Sequence, residues 1–120
     1  MESEPQGIES AWRLAGEDTA GKPLVLTIGQ MELTNAYPGI TVGRHPQLCE
    51  RVIDEASISG RHFRLSRSAE GVTVEDLSSL NGTWLDGEPL VPFEPVVLYD
   101  GQTITAGRIE LTATRVDAEA

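Results

Sequence analysis

Apolar and polar positions alternate in short runs along most of this chain. Ala11-Trp12-Arg13-Leu14 alternates, and Leu24-Val25-Leu26-Thr27-Ile28 is a run of strand-forming residues. Ile40-Thr41-Val42 ends at Gly43. His62-Phe63-Arg64-Leu65-Ser66-Arg67 and Val72-Thr73-Val74-Glu75-Asp76-Leu77 alternate again. Thr83-Trp84-Leu85 and Glu88-Pro89-Leu90 flank Asp86-Gly87, a pair suited to the positive φ values of a two-residue hairpin turn. Val96-Val97-Leu98, Gln102–Ala106 and Ile109–Thr114 complete the set, with turns at Asp100-Gly101 and Gly107-Arg108. Gly16–Pro23 is expected as one long turn. The segment Leu48–Ile53 fits a short strand or an irregular stretch equally well. No segment sustains the 3.6-residue period of an amphipathic helix. Twelve glycines and seven prolines punctuate the short strands, and the expected fold class is all-β, a sandwich or barrel.

A chain of 120 residues forms one domain able to bury a core without metals or disulfides. The expected bounds are a flexible acidic leader over 1–10, the folded domain over 11–115 and a flexible tail over 116–120. No run of eighteen apolar residues exists, so no membrane insertion is expected. The single cysteine, Cys49, has no partner for an internal disulfide, and the polar start Met1-Glu2-Ser3-Glu4-Pro5 is unlike a signal peptide; both point to the cytoplasm. The net charge of −10 argues against nucleic acid as a partner. Five of the nine basic residues (Arg44, Arg51, Arg61, Arg64, Arg67) nevertheless fall between positions 44 and 67. A local basic cluster on an acidic chain suits a small, discrete anion.

Three short stretches carry candidate chemistry: Gly43-Arg44-His45, Ser59-Gly60-Arg61-His62 and Ser79-Leu80-Asn81-Gly82-Thr83. Arginine presents a planar fork of donors that matches two oxygens of a phosphate and stays charged. Arg44 follows Gly43 where a strand gives way to a loop, and glycine there admits backbone conformations other residues resist. Ser59 offers a hydroxyl and a backbone N–H. Asn81 both donates and accepts, which suits a grip on a peptide backbone. Loops of this kind on a rigid sheet suit a reader of phosphorylated peptides.

In this order on an all-β chain, Gly43-Arg44, Ser59-x-x-His62 and the run Asp76–Gly87 resemble a forkhead-associated (FHA) domain across residues 11–115. The resemblance implies an eleven-stranded β-sandwich with ligand loops at one end. It also implies a non-catalytic module that binds phosphothreonine peptides in kinase signalling, with no cofactor. Arg44 would then contact the phosphate, Ser59 would hydrogen-bond one of its oxygens, and Asn81 would hold the main chain of the peptide. Gly43, His62 and Gly82 would support the site, the glycines through backbone geometry and the histidine as a buttress between loops. Ser57 sits where family members often select the residue three after the phosphothreonine. The implied partner is a protein or peptide carrying phosphothreonine, a Ser/Thr kinase or its substrate, bound by a monomer.

Two positions depart from the family pattern. Gly60 replaces the arginine, lysine or asparagine that often follows the motif serine, and Leu80 replaces a threonine before the asparagine. Three consequences stand open: weaker binding, Arg61 taking over the role through the freedom of Gly60, or a phosphate-independent interaction or assembly domain on the same fold. A hydrolase built on Ser59 and His62 lacks an orienting carboxylate and a nucleophile elbow. His45, Cys49 and His62 lack metal-site spacing. Asn81-Gly82-Thr83 is read as a turn rather than a glycosylation site. Trp12 and Trp84 are expected as packing residues.

Overall fold

A computed structural model describes residues 10–116. The strands in chain order are β1 (Ala11–Glu17), β2 (Pro23–Gly29), β3 (Ile40–Gly43), β4 (Arg51–Val52), β5 (Phe63–Ser68), β6 (Gly71–Asp76), β7 (Thr83–Leu85), β8 (Glu88–Pro89), β9 (Val96–Val97), β10 (Thr103–Ala106) and β11 (Ile109–Val116). A short helix, α1 (Gln30–Asn35), lies between β2 and β3. Six strands form one sheet in the order β2-β1-β11-β10-β7-β8, and five form the other in the order β4-β3-β5-β6-β9. The all-β sandwich of eleven strands is the expected architecture.

Alternation explains the core. Trp12 and Leu14 of β1, Leu26 and Ile28 of β2, and Ile109, Leu111 and Ala113 of β11 face inward from one sheet. Ile40 and Val42 of β3, Phe63 and Leu65 of β5, and Val72 and Val74 of β6 face them from the other. Each such side chain removed from water is worth about 1.5–3 kcal/mol for the larger aliphatics and phenylalanine. Trp12 is buried and Trp84 half-buried, so both pack.

Several local expectations change. The turn expected over Gly16–Pro23 is shorter, because β1 and β2 stay paired as far as Glu17 opposite Pro23. Asp18 closes it by accepting from the N–H groups of Ala20 (2.9 Å) and Lys22 (2.8 Å). The ambiguous stretch before Ile53 yields the two-residue β4, parallel to β3. Helix α1 buries Leu33 against the core but has only six residues, too few to register as a period. At the ends, Gln30 N–H donates to the Ser10 carbonyl (2.8 Å) and Val116 pairs with Ala11. Ser10, expected in the leader, and Val116, expected in the tail, thus take part in the fold. The rest of the expected leader and tail, 1–9 and 117–120, lies outside the described residues.

The Asp86-Gly87 turn forms as expected, with φ of 50° and 84°. The candidate loops share one end of the sandwich. They are the segment from β3 to β4, the segment from β4 to β5, and the segment from β6 to β7.

Candidate functional site

Backbone pairing continues past the end of β3 and joins the first two loops. Arg44 N–H donates to the Ser59 carbonyl (2.9 Å), and His45 N–H donates to the Gly60 carbonyl (3.1 Å). Gly43 is glycine for this approach and not for an unusual dihedral, since its φ lies outside the left-handed region. A Cβ there would collide with the Gly60 carbonyl and lie 2.9 Å from both the Arg61 Cα and the Cys49 Sγ. The Cys49 thiol donates to the Gly60 carbonyl (2.9 Å), and burial pushes its pKa up. Gly82 has φ of +88°, a conformation that favours glycine, and the Trp84 ring lies against it.

His62 is fully buried where β5 begins. Ser59 N–H donates to its Nδ1 (3.0 Å), which places the proton of the neutral ring on Nε2, and Nε2–H donates to the Gly82 carbonyl (2.9 Å). One imidazole therefore ties the second loop to the third. Burial holds its pKa below the ordinary histidine value, the bond to the Gly82 carbonyl and the charge of Asp76 pulling the other way.

Asp76, at the end of β6, organises the third loop from inside. Its Oδ1 accepts from the hydroxyls of Ser79 (2.5 Å) and Thr83 (2.7 Å), and its Oδ2 accepts from Ser79 N–H (3.2 Å). Gly82 N–H then donates to Ser79 Oγ (3.0 Å). The run from Asp76 to Thr83 is in this way folded around one carboxylate.

Above this floor lies an open groove of about 480 Å³, lined by residues of all three loops, among them Arg44, Ser59, Gly60, Leu80 and Asn81. Ser59 Oγ accepts from Leu80 N–H (2.9 Å), so its own proton remains available to an incoming acceptor. Asn81 Nδ2 donates to the Ser57 carbonyl (2.9 Å), which pins the carboxamide across the groove. Arg44 is exposed, and among the described residues its guanidinium has no ion-pair partner. Arg61 is exposed as well but does not line the groove. Leu80 is 89% exposed. Among the described residues no group of three or more His, Cys, Asp and Glu side chains is placed to hold a metal ion.

The groove also recruits residues that the sequence reading did not assign to it. His45, Pro46, Ala56 and Ile58 line it, and a second cavity adjoins it at Ala56, Ser57, Asn81, Gly107 and Arg108. Arg108 N–H donates to Ser57 Oγ (2.9 Å). Glu55 accepts from both the hydroxyl and the N–H of Ser57, the N–H at 2.8 Å, and these bonds hold its pKa down, the hydroxyl most. His45 and Pro46 adjoin Arg44 in sequence, so proximity was the signal for them. Nothing local brings Arg108 to Ser57: the turn between β10 and β11 belongs to one sheet and the segment between β4 and β5 to the other, so they meet only because the two sheets pack face to face.

Comparison with known proteins agrees with this geometry. A family model described as the FHA domain matches residues 40–107, more than half of the chain. An oxoglutarate dehydrogenase inhibitor of Corynebacterium diphtheriae is 34% identical over 74 residues, 62% of this chain and 49% of that protein. The chain spans about half the length of the curated relatives it matches. Among solved structures, the FHA domain of an Arabidopsis thaliana hypothetical protein superposes with a TM-score of 0.74 at 27% identity, covering 100% of this chain and 98% of that one. Mycobacterium tuberculosis EmbR in complex with a low-affinity phosphopeptide shares the fold, with a TM-score of 0.65 at 23% identity over 98% of this chain and 27% of that one.

Proposed function

The chain belongs to the FHA-domain family, and from that membership we propose how its loops bind a phosphothreonine peptide and so mediate phosphorylation-dependent association between proteins. FHA domains are phosphothreonine-peptide binding modules. In this chain Arg44 takes two phosphate oxygens in its fork, and the Ser59 hydroxyl donates to a phosphate oxygen. Asn81, held across the groove, grips the main chain of the peptide. Gly60 and Leu80 border the ligand, and Arg61 stands exposed beside Gly60, outside the groove lining; Gly43, His62 and Gly82 support the site from below. The module works by binding alone, as a monomer in the cytoplasm. Its partner is a Ser/Thr kinase or a kinase substrate in a signalling pathway.

One observation carries this reading. The Ser59 hydroxyl accepts from Leu80 N–H at 2.9 Å and has its proton unspent, in a groove it shares with Arg44, whose guanidinium has no ion-pair partner among the described residues. That pairing of a spare donor with a spare cation suits an anion rather than a neutral ligand. The protein is titrated with a phosphothreonine peptide library, beside Arg44→Ala and the unphosphorylated peptides. The expected loss for Arg44→Ala is on the order of a hundredfold. Equal binding by the variant, or no binding above background by the wild type, overturns the reading.

The 89% exposure of Leu80 favours a second reading, an interaction or assembly domain that needs no phosphate. Partners retained from phosphatase-treated lysate, with unchanged capture by Arg44→Ala, would select it.

A further inference from the structure

Gly60 has no backbone reason to be glycine. Its φ lies outside the left-handed region, and a Cβ built on it meets only the His45 Cβ, at the ordinary distance of 3.7 Å. Gly43 and Gly82 differ, since one is hemmed in by neighbouring atoms and the other has φ of +88°. The missing side chain at position 60 therefore leaves open space at the groove, and the residue bordering that space is His45.

His45 is held in place there. Its N–H donates to the Gly60 carbonyl (3.1 Å), its carbonyl accepts from Leu48 N–H (3.0 Å), and its Nδ1 accepts from Gln47 N–H (3.2 Å). An Nδ1 used as acceptor puts the proton of a neutral ring on Nε2. Among the described residues that Nε2–H has no partner. The ring shares the groove with Arg44 and Ser59, and no carboxylate lines it. The other charged or titratable groups on the two neighbouring loop segments are Arg44, Cys49, Glu50, Asp54, Glu55, Arg61 and His62, and of these only Arg44 lines the groove.

A phosphothreonine carries a charge of about −1.5 to −2 and three terminal oxygens. The fork of Arg44 occupies two of these, and Ser59 supplies one further donor, so charge and lone pairs remain unmet. We infer that His45 is an additional phosphate-contacting residue, its Nε2–H donating to a terminal oxygen across the space that Gly60 leaves open. The inference rests on the phosphothreonine reading above and names a third donor for the same anion.

The test uses a phosphothreonine peptide taken from the library, titrated by calorimetry, with inorganic phosphate as a second probe. His45→Ala is expected to weaken both about tenfold. His45→Asn keeps an acceptor for Gln47 N–H and so the turn, but falls short of the phosphate, and is expected to lose the same amount. Adding Gly60→Asn to His45→Ala is expected to recover most of the peptide affinity by supplying a donor from the neighbouring position. If His45→Asn binds within twofold of the wild type while Arg44→Ala loses binding, the role of His45 is confined to the turn. This inference then falls and the phosphothreonine reading stands. A wild type that binds no phosphothreonine peptide overturns both.

Discussion

On the inner side of the loop end, Asp76, Ser79, Thr83 and His62 bond to one another and to backbone. On the outer side, the side chains of Arg44, Arg61 and Leu80 face solvent and make no such bonds among the described residues. The inner set is buried or nearly so, with Asp76 2% exposed and Thr83 1%. Buried polar groups survive only when paired, so removing one leaves its neighbours stranded. The outer set loses nothing to folding and keeps its donors for a ligand. The difference teaches that the polar groups spent on holding the loops together are separate from the side chains left unengaged at the surface, although both sets hang on the same three loops.

The comparison breaks most visibly at Asp76. Asp76→Ala strands the Ser79 and Thr83 hydroxyls and the Ser79 N–H, and is expected to cost about 4 kcal/mol in urea unfolding. Asp76→Asn retains one carbonyl acceptor and should recover part of that loss. His62→Ala removes the link between Ser59 N–H and the Gly82 carbonyl and opens a void, costing about 3 kcal/mol. It should also weaken phosphopeptide binding, since both loops lose their tie.

A pH titration sharpens the contrast without changing the packing as much. The folded state holds His62 neutral, its pKa lowered from 6.5 chiefly by burial. Its contribution to stability is therefore complete above about pH 6.5 and declines as pH falls below that value, because the unfolded chain takes up the proton first. Unfolding free energies measured from pH 8 to 5 should fall more steeply for the wild type than for His62→Gln. Equal slopes would remove His62 from the account. The smallest effect belongs to the outer side, where Arg44→Ala is expected to change stability by no more than about 0.5 kcal/mol while weakening phosphopeptide binding on the order of a hundredfold.

The sandwich was legible because its strands alternate cleanly. His62–Leu77 reads as two strands around a turn, and β5 and β6 pair from Phe63–Asp76 to Ser68–Gly71. Helix α1 was not legible, since six residues with one buried side chain, Leu33, leave no periodic trace. The short β4 emerges only from parallel pairing with β3, a long-range event that local propensity does not encode. Of the candidate site, Arg44, Ser59 and Asn81 drew notice because their residue types match anion and peptide chemistry, and they line one groove. The reason for Gly43 was not. Sequence suggests a special dihedral, whereas the structure shows another backbone pressed against it. The place of Arg108 beside Ser57 was hidden for the same reason, being decided by the packing of one sheet on the other, between residues 51 apart in the chain.

The pairing of β1 with β11 has a consequence for how this domain is carried. Ala11 stands opposite Val116, so polypeptide arriving at one and polypeptide leaving the other share a single doorway. The turn that starts β11 reaches the groove, where Arg108 N–H meets Ser57 Oγ. The eight residues of β11 therefore set that doorway roughly 25 Å from this contact. Spliced into a host protein, the module would hang like a bulb from its socket, its reading face turned away from the host.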